Sequence, residues 1–140
     1  MIDEERILDH LNELEASLRD WKRYKAFPVE KLKTDRDTRN MVLHAMLVAI
    51  QSSIDVANHL IAEKNLRKPS TYREAFEILA EENVISVELA DELAELAGFR
   101  NMLVHIYWRL DMDVIHEILQ HDHRHLEAFS SQVKKMLASD

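Results

Sequence analysis

The sequence predicts an all-α fold, an up-and-down bundle of five or six helices, and three observations support this. The 140 residues include only one glycine and two prolines, and because these residues punctuate turns and strand ends, few loops are expected. The strong helix formers alanine, leucine, glutamate and lysine are abundant. Apolar residues also recur at the spacing of amphipathic helices in successive segments.

The first half of the chain is predicted to form two helices. The first covers residues 3–26 and ends before Pro28, because proline does not continue a helix. The second opens with Thr34 or Asp35 as N-cap and continues to at least Ile61. Its apolar face is long and broad, which predicts a helix that is buried on several sides.

The middle of the chain contains a break and a shorter helix. Pro69 and Ser70 interrupt the helical pattern, and Ser70 or Thr71 is suited to cap a helix over residues 72–82. Residues 83–85 are then predicted to form a loop.

Three further helices complete the predicted bundle. One runs from Ser86 towards Leu110, a short one is capped by Asp111 or Asp113, and the last ends near Leu137. Short connections between helices of these lengths are typical of a helical bundle.

Length and composition limit the possible functions. A chain of 140 residues is expected to form a single domain over residues 1–140. The absence of cysteine excludes disulfides, thiolate metal sites and a cysteine nucleophile. The start is acidic, unlike a signal peptide, and no apolar stretch is expected to approach the roughly 18 residues of a membrane span, so a cytoplasmic protein without membrane contact is expected.

The net charge of −8 disfavours a general affinity for nucleic acid, because an acidic surface repels phosphates. Any contact with RNA must therefore come from a local basic site. Residues 74–95 contain eight carboxylates and no basic residue, so this segment is expected to be an outward acidic wall. Such a wall is expected to be an ordinary solvated face, and the alternative is a surface that binds a basic face of a partner protein.

The segment over residues 99–109 contains the residues best suited to chemistry. On a helix, successive residues are turned by about 100°. One side of this helix is then apolar and is the expected core face, formed by Met102, Leu103, Ile106 and Leu110. The opposite arc, of about 160°, contains Arg100, Asn101, Val104, His105, Tyr107 and Trp108.

An arginine and a histidine on one helix are sufficient in principle to cleave RNA without a metal. Arginine forks onto phosphate oxygens, and histidine accepts and donates protons near neutral pH. RNA supplies its own nucleophile, the ribose 2′-hydroxyl, so the protein has only to move protons and stabilise the charged phosphorane. By spacing alone, a core helix with a solvated polar face remains an equally simple interpretation.

The order of these residues resembles a known signature. Arg100-Asn101, followed after three residues by His105-Ile106-Tyr107, is similar to the motif of the HepT-like branch of the HEPN superfamily. The segments over residues 54–61 and 69–74 also resemble that branch, so the likeness covers nearly the whole chain.

This resemblance implies a metal-independent endoribonuclease toxin that needs no cofactor. Proteins of this type form two-fold homodimers in which the two motifs face each other across a cleft where RNA is cut. Arg100 would bind the scissile phosphate, His105 would transfer protons, and Asn101 would support them. The implied partner is a minimal nucleotidyltransferase (MNT) antitoxin that adds AMP to Tyr107, which would place bulk and negative charge beside Arg100.

Two other functions remain open. The chain could be a non-catalytic nucleotide-binding or scaffold subunit of the nucleotidyltransferase complex, or a helical dimerisation module without a role in nucleic-acid chemistry. The complete set of Arg100, His105 and Tyr107 favours the enzyme, because a scaffold would not need it.

Several residues outside the motif have two interpretations each. A basic run (Lys22, Arg23, Lys25, Lys31 and Lys33) is either a solvated face or a second RNA or partner surface. His121, His123 and His125 form either a polar helix junction or an adventitious metal site. Asp55 is expected first to form a structural hydrogen bond and His59 first to pack in the fold, and each has a role in the cleft as its second interpretation. Trp108 is expected first to pack at the dimer interface and second to stack on a base.

Overall fold

The computed structural model describes residues 3–105 and 109–139, and all of its regular secondary structure within these ranges is helical. In this described part of the chain, six helices have ten residues or more, which confirms the predicted all-α bundle, and a short six-residue helix was not predicted. In chain order the helices are α1 (Glu4–Tyr24), α2 (Val29–Thr34), α3 (Arg36–Glu63), α4 (Tyr72–Glu81), α5 (Val87–His105), α6 (Met112–His121) and α7 (His123–Ser139).

The helices begin at the capping residues that the sequence offered. Asp35, Thr71 and Asp111 are the N-caps of α3, α4 and α6, and the side chain of each accepts a hydrogen bond from a backbone N–H of the first turn. Before α5, the hydroxyl of Ser86 accepts a hydrogen bond of 3.1 Å from the N–H of Leu89. Of the two candidates before α3 and before α4, the structure selects the one nearer to the helix, whereas at α6 it selects Asp111 and places Asp113 in the first turn.

Two helices end with asparagine in the backbone conformation that glycine usually supplies. Asn65 and Asn83 have φ angles of 54° and 59°. The next backbone N–H groups, of Leu66 and Val84, donate to carbonyls five residues earlier at 3.0 and 2.9 Å. This is the Schellman arrangement. A chain with a single glycine therefore still stops α3 and α4 sharply.

The long helix α3 is the central element of the bundle. It packs along α1 and also contacts α2, α4, α5 and α7. Its sides are buried by different neighbours, as the broad apolar face predicted. The largest of its fully buried side chains are Met46, Ile50, Ile54 and Leu60.

By length and composition, α3 is also apolar enough to cross a membrane, so the expectation that no stretch approaches this limit was wrong. Within the most apolar 18-residue window, 61% is buried inside the fold. The burial explains the composition, because a helix covered on several sides needs apolar residues around most of its circumference.

The C-terminal end of α6 is attached to α1 by polar contacts. The indole Nε1 of buried Trp21 donates a hydrogen bond of 2.8 Å to the carbonyl of Leu119. Gln120 donates through Nε2 to the carbonyl of Lys25 at 2.9 Å. The first contact satisfies one of the last carbonyls of α6, which have no partner within the helix.

Candidate active site

The C-terminal half of α5 positions the residues that the motif singled out. Arg100 is half-buried, whereas Asn101 and His105 are exposed, and His105 is the last described residue of α5. Tyr107 and Trp108 lie outside the described residues, so the roles expected for them remain predictions.

One member of the expected core face is not in the core. Leu103 is 4% exposed, as predicted, but Met102 is 46% exposed. After Ala97, the buried residues of α5 are Phe99 and Leu103. Met102 lies about 100° from Leu103 around the helix, so its side chain falls outside this buried side.

The guanidinium of Arg100 is held by uncharged groups. Its Nε donates a hydrogen bond of 2.8 Å to Oε1 of Gln51, and its Nη1 donates to Oδ1 of Asn101 at 3.3 Å. The guanidinium carbon lies 5.4 Å from the centre of the Tyr72 ring, within range of a cation–π interaction. Gln51 in turn donates through Nε2 to Oδ1 of Asp55 at 3.0 Å. Three helices, α3, α4 and α5, therefore fix the position of one cation.

The positive charge of Arg100 is not cancelled by a neighbouring acid. Within residues 3–105 and 109–139, no carboxylate forms an ion pair with it. Part of the acidic wall is itself neutralised, because Arg67 pairs with Glu74 and Glu81 at 3.0 and 2.8 Å. Arg100 is therefore a local site for an anion on a protein with a negative net charge.

Arg100 and His105 point in different directions from α5. Five residues of helix separate them by a rise of about 7.5 Å and a turn of about 140°. Arg100 lies against α3 and α4, whereas His105 is exposed at the helix end. One copy of the chain therefore presents the two groups on separate parts of its surface.

Two apolar side chains near the end of α5, Met102 and Val104, are 46% and 44% exposed, and Met41 in the first half of α3 is 40% exposed. Where the first half of α3 adjoins α5, a cavity of about 350 Å³ is lined by Asn40, Leu43, His44, Leu47 and Leu103. An apolar surface of this kind is typical of an interaction site.

The basic run is largely paired with carboxylates, which favours the solvated face over a second RNA surface. The ion pairs join Lys22 to Glu127, Arg23 to Asp20, Lys31 to Asp35 and Lys33 to Asp113, at 3.0–3.3 Å. Lys25 instead lies 3.4 Å from the buried imidazole of His123.

The three histidines of the C-terminal cluster have separate surroundings. His121 faces Glu117, His125 pairs with Glu92, and His123 is buried. Among the described residues, no group of three or more histidine, aspartate and glutamate side chains is arranged to hold a metal ion. The arrangement supports a polar helix junction. Burial, together with the charge of Lys25, lowers the pKa of His123.

Asp55 and His59 have the structural contacts that were expected first. Asp55 accepts the hydrogen bond from Gln51, and the His59 ring packs against that of His10 in a tilted arrangement with 4.7 Å between centroids. Burial and the neighbouring His10 lower the pKa of His59. Asp55 is nevertheless only one side chain away from Arg100, so its structural bond also belongs to the surroundings of the site.

Gln51 and Tyr72 are neighbours of Arg100 that were not predicted from the sequence. A signal for Gln51 was present, because Gln51 and Asp55 are four residues apart on a largely apolar helix and hence share a face. That spacing does not reveal which distant residue the pair contacts.

Most of the chain is similar to known proteins. The family described as Ribonuclease HepT-like matches residues 14–133. The mRNA nuclease HepT of Shewanella oneidensis is 31% identical over 74% of this chain and 78% of its own length. The tRNA nuclease HepT of Aphanizomenon flos-aquae is 33% identical over 76% of this chain and 65% of its own length.

A solved structure has the same fold. It contains the tri-AMPylated Shewanella oneidensis HEPN toxin in complex with an MNT antitoxin. That toxin chain superimposes with a TM-score of 0.85 and 26% identity, covering 96% of the present chain and 99% of the toxin.

Proposed function

The chain belongs to the Ribonuclease HepT-like family, and from that premise we propose that it is a cytoplasmic endoribonuclease toxin that cleaves RNA without a metal. The observation that carries the proposal is the half-buried Arg100, oriented by neutral groups and not paired with any described carboxylate. The relatives named as mRNA and tRNA nucleases support RNA as the substrate class. We further propose that residues 1–140 act as one HEPN domain.

The proposed reaction uses groups that the RNA and the protein already contain. The ribose 2′-oxygen attacks the adjacent phosphorus as its proton is removed, and the bond from phosphorus to the 5′-oxygen breaks. The leaving oxygen takes up a proton, so the products are a 2′,3′-cyclic phosphate and a 5′-hydroxyl. His105 carries the proton transfer. Arg100 stabilises the extra negative charge on the phosphorane, with Asn101 in support.

We propose that a second copy of the chain completes the site. The divergence of Arg100 and His105 on one helix supports this, because two such helices related by a two-fold axis can bring both pairs to one cleft. The exposed Met41, Met102 and Val104 supply an apolar surface for the contact. Met102→Glu is expected to give a monomer by analytical ultracentrifugation and to abolish cleavage; an active monomer would rule out the shared cleft.

The central test is cleavage of RNA by the purified chain in EDTA. Arg100→Ala and His105→Ala should each abolish both RNA cleavage and growth inhibition, while circular dichroism shows the helices unchanged. His121→Ala, which changes an exposed histidine on α6 outside the proposed site, is the matched control and should remain active. Full activity in both motif variants would refute the catalytic assignment.

We propose that an MNT-type nucleotidyltransferase is the antitoxin and that it adds AMP to Tyr107. The solved complex of an AMPylated toxin with its MNT antitoxin supports a modification of this kind. Tyr107 follows His105 by two residues in the sequence, so an added phosphate brings negative charge close to the proposed site.

Co-expression with the antitoxin tests the modification directly. The mass of the peptide that contains Tyr107 should rise by whole AMP units, and Tyr107→Phe should keep its original mass. An unmodified Tyr107 in a fully neutralised toxin would instead indicate inhibition by complex formation alone.

A further inference from the structure

Gln51 lies between two groups of opposite charge. Its Oε1 accepts the Nε–H of Arg100 at 2.8 Å, and its Nε2 donates to Asp55 at 3.0 Å. We propose that Gln51 is a positioning residue for RNA cleavage, which aims the guanidinium of Arg100 at the phosphate while Asp55 fixes the orientation of the glutamine amide. This inference rests on the proposed function of Arg100.

Only one orientation of the Gln51 amide satisfies both neighbours. A guanidinium donates and never accepts, whereas an ionised carboxylate accepts and never donates. The amide oxygen must therefore face Arg100 and the amide nitrogen must face Asp55. A flipped amide would oppose two donors on one side and two acceptors on the other, so Asp55 determines the side on which Arg100 finds its acceptor.

A neutral residue at position 51 preserves the charge that phosphate binding needs. A carboxylate there would form a direct ion pair with Arg100 and compete with the RNA phosphate for it. The amide instead holds the guanidinium through Nε and keeps the charge of Asp55 one side chain away. Arg100 is thereby oriented without being neutralised.

The contact is made where solvent competes weakly. Gln51, Asp55 and Arg100 are each half-buried, and Tyr72 covers the guanidinium from α4. Hydrogen bonds are stronger in such surroundings than in water. The Nε–H bond limits rotation of the guanidinium, so the orientation of Arg100 is set before RNA binds.

Gln51→Met is the main test, because methionine has a similar length and no hydrogen-bonding amide. The expected result is a fall of about 10- to 100-fold in kcat, as reacting groups become misaligned. The matched control is Gln120→Met, which removes another half-buried amide whose bond goes to the carbonyl of Lys25. That variant should keep the cleavage rate of the parent chain.

Two further variants separate positioning from a general loss of structure. Gln51→Glu restores an acceptor but adds charge, so it should raise the KM for RNA as the new carboxylate competes with phosphate. Asp55→Leu frees the amide to flip and should lower kcat less than Gln51→Met does. Equal effects of all three substitutions on kcat and KM would overturn the positioning role.

An NMR measurement without RNA tests whether Gln51 orients Arg100, independently of the cleavage activity. In arginine-labelled protein, the ¹⁵N–¹H signal of the Arg100 Nε group, assigned by its absence in Arg100→Lys, should shift in Gln51→Met and remain in place in Gln120→Met. An unchanged signal, or a shifted signal with unchanged cleavage, would overturn the inference. If the parent chain does not cut RNA, the proposed function fails, and the signal still shows whether Gln51 orients Arg100.

Discussion

The guanidinium carbon of Arg100 lies 5.4 Å from the centre of the Tyr72 ring, so the first residue of α4 covers the cation presented by α5. The hydroxyl of Tyr72 is not needed for this contact, because the attraction comes from the face of the aromatic ring. The two helices also pack closely against each other along their lengths. The site is therefore coupled to the packing of α4 on α5.

Tyr72→Leu is expected to weaken RNA cleavage more than Tyr72→Phe. A cation–π contact at a partly exposed site contributes about 0.5–1 kcal/mol, which corresponds to a loss of about two- to fivefold in kcat/KM when the ring is removed. Phenylalanine retains the ring and should remain within about twofold of the parent chain. If the two variants behave alike, the ring does not support Arg100.

Arg100→Lys is expected to show whether RNA cleavage needs the geometry of the guanidinium or only its positive charge. Lysine keeps the positive charge but lacks the fork that matches phosphate and the Nε–H group that Gln51 accepts. The cleavage rate should fall by about 100-fold or more, while the Kd for a non-cleavable RNA with a 2′-deoxy substitution rises much less. Near-normal cleavage by this variant would mean that a point charge is sufficient.

The local features of this fold were predictable, whereas its long-range contacts were not. Asp35, Thr71 and Asp111 were recognised as caps because a cap acts within a few residues of itself. The short helix α2 was missed because Val29–Thr34 spans less than two turns and has only one buried residue, Leu32, so it has no apolar periodicity. Its stability comes from packing on α3 and α6.

The same distinction applies to the site. Arg100 and His105 could be proposed as a pair from the sequence, because both residues lie in one short motif. Gln51 precedes Arg100 by 49 residues, and its role depends on how α3 and α5 pack. Met102 was misplaced for a related reason, since the width of the buried side of α5 is set by its neighbours and not by its own sequence.

Trp21→Phe is expected to destabilise the fold by about 1–3 kcal/mol, the cost of leaving a buried acceptor unsatisfied. Phenylalanine fills most of the site but cannot donate to the carbonyl of Leu119. Urea unfolding followed by circular dichroism at pH 7.5 measures the change. A loss below about 0.5 kcal/mol, the range of ordinary surface substitutions, would show that this carbonyl finds another donor.

The free energy of unfolding is expected to fall as the pH drops below about 6.5, the ordinary pKa of histidine. Burial and the charge of Lys25 lower the pKa of His123 in the folded chain, so the unfolded chain binds a proton more readily. The contribution of His123 is complete above that pH and is lost as the pH falls towards the lowered pKa. The contribution of His59 to stability changes with pH in the same direction, because its pKa is lowered as well. The contribution of Asp122 changes in the opposite direction, because burial raises the pKa of its carboxyl group.

His123→Leu tests this assignment, because it removes the titrating group from a buried position beside Lys25 and Glu127, with Lys22 and Arg124 as the further charges that act on it. Urea unfolding of the parent and the variant at pH 7.5 and 5.5 should show a smaller loss of stability in the variant. His121→Leu, a change at an exposed histidine two residues away, should retain most of the loss. Identical pH dependence in the parent and in His123→Leu would place the acid sensitivity elsewhere, and His59, which packs against His10, would be the next group to replace.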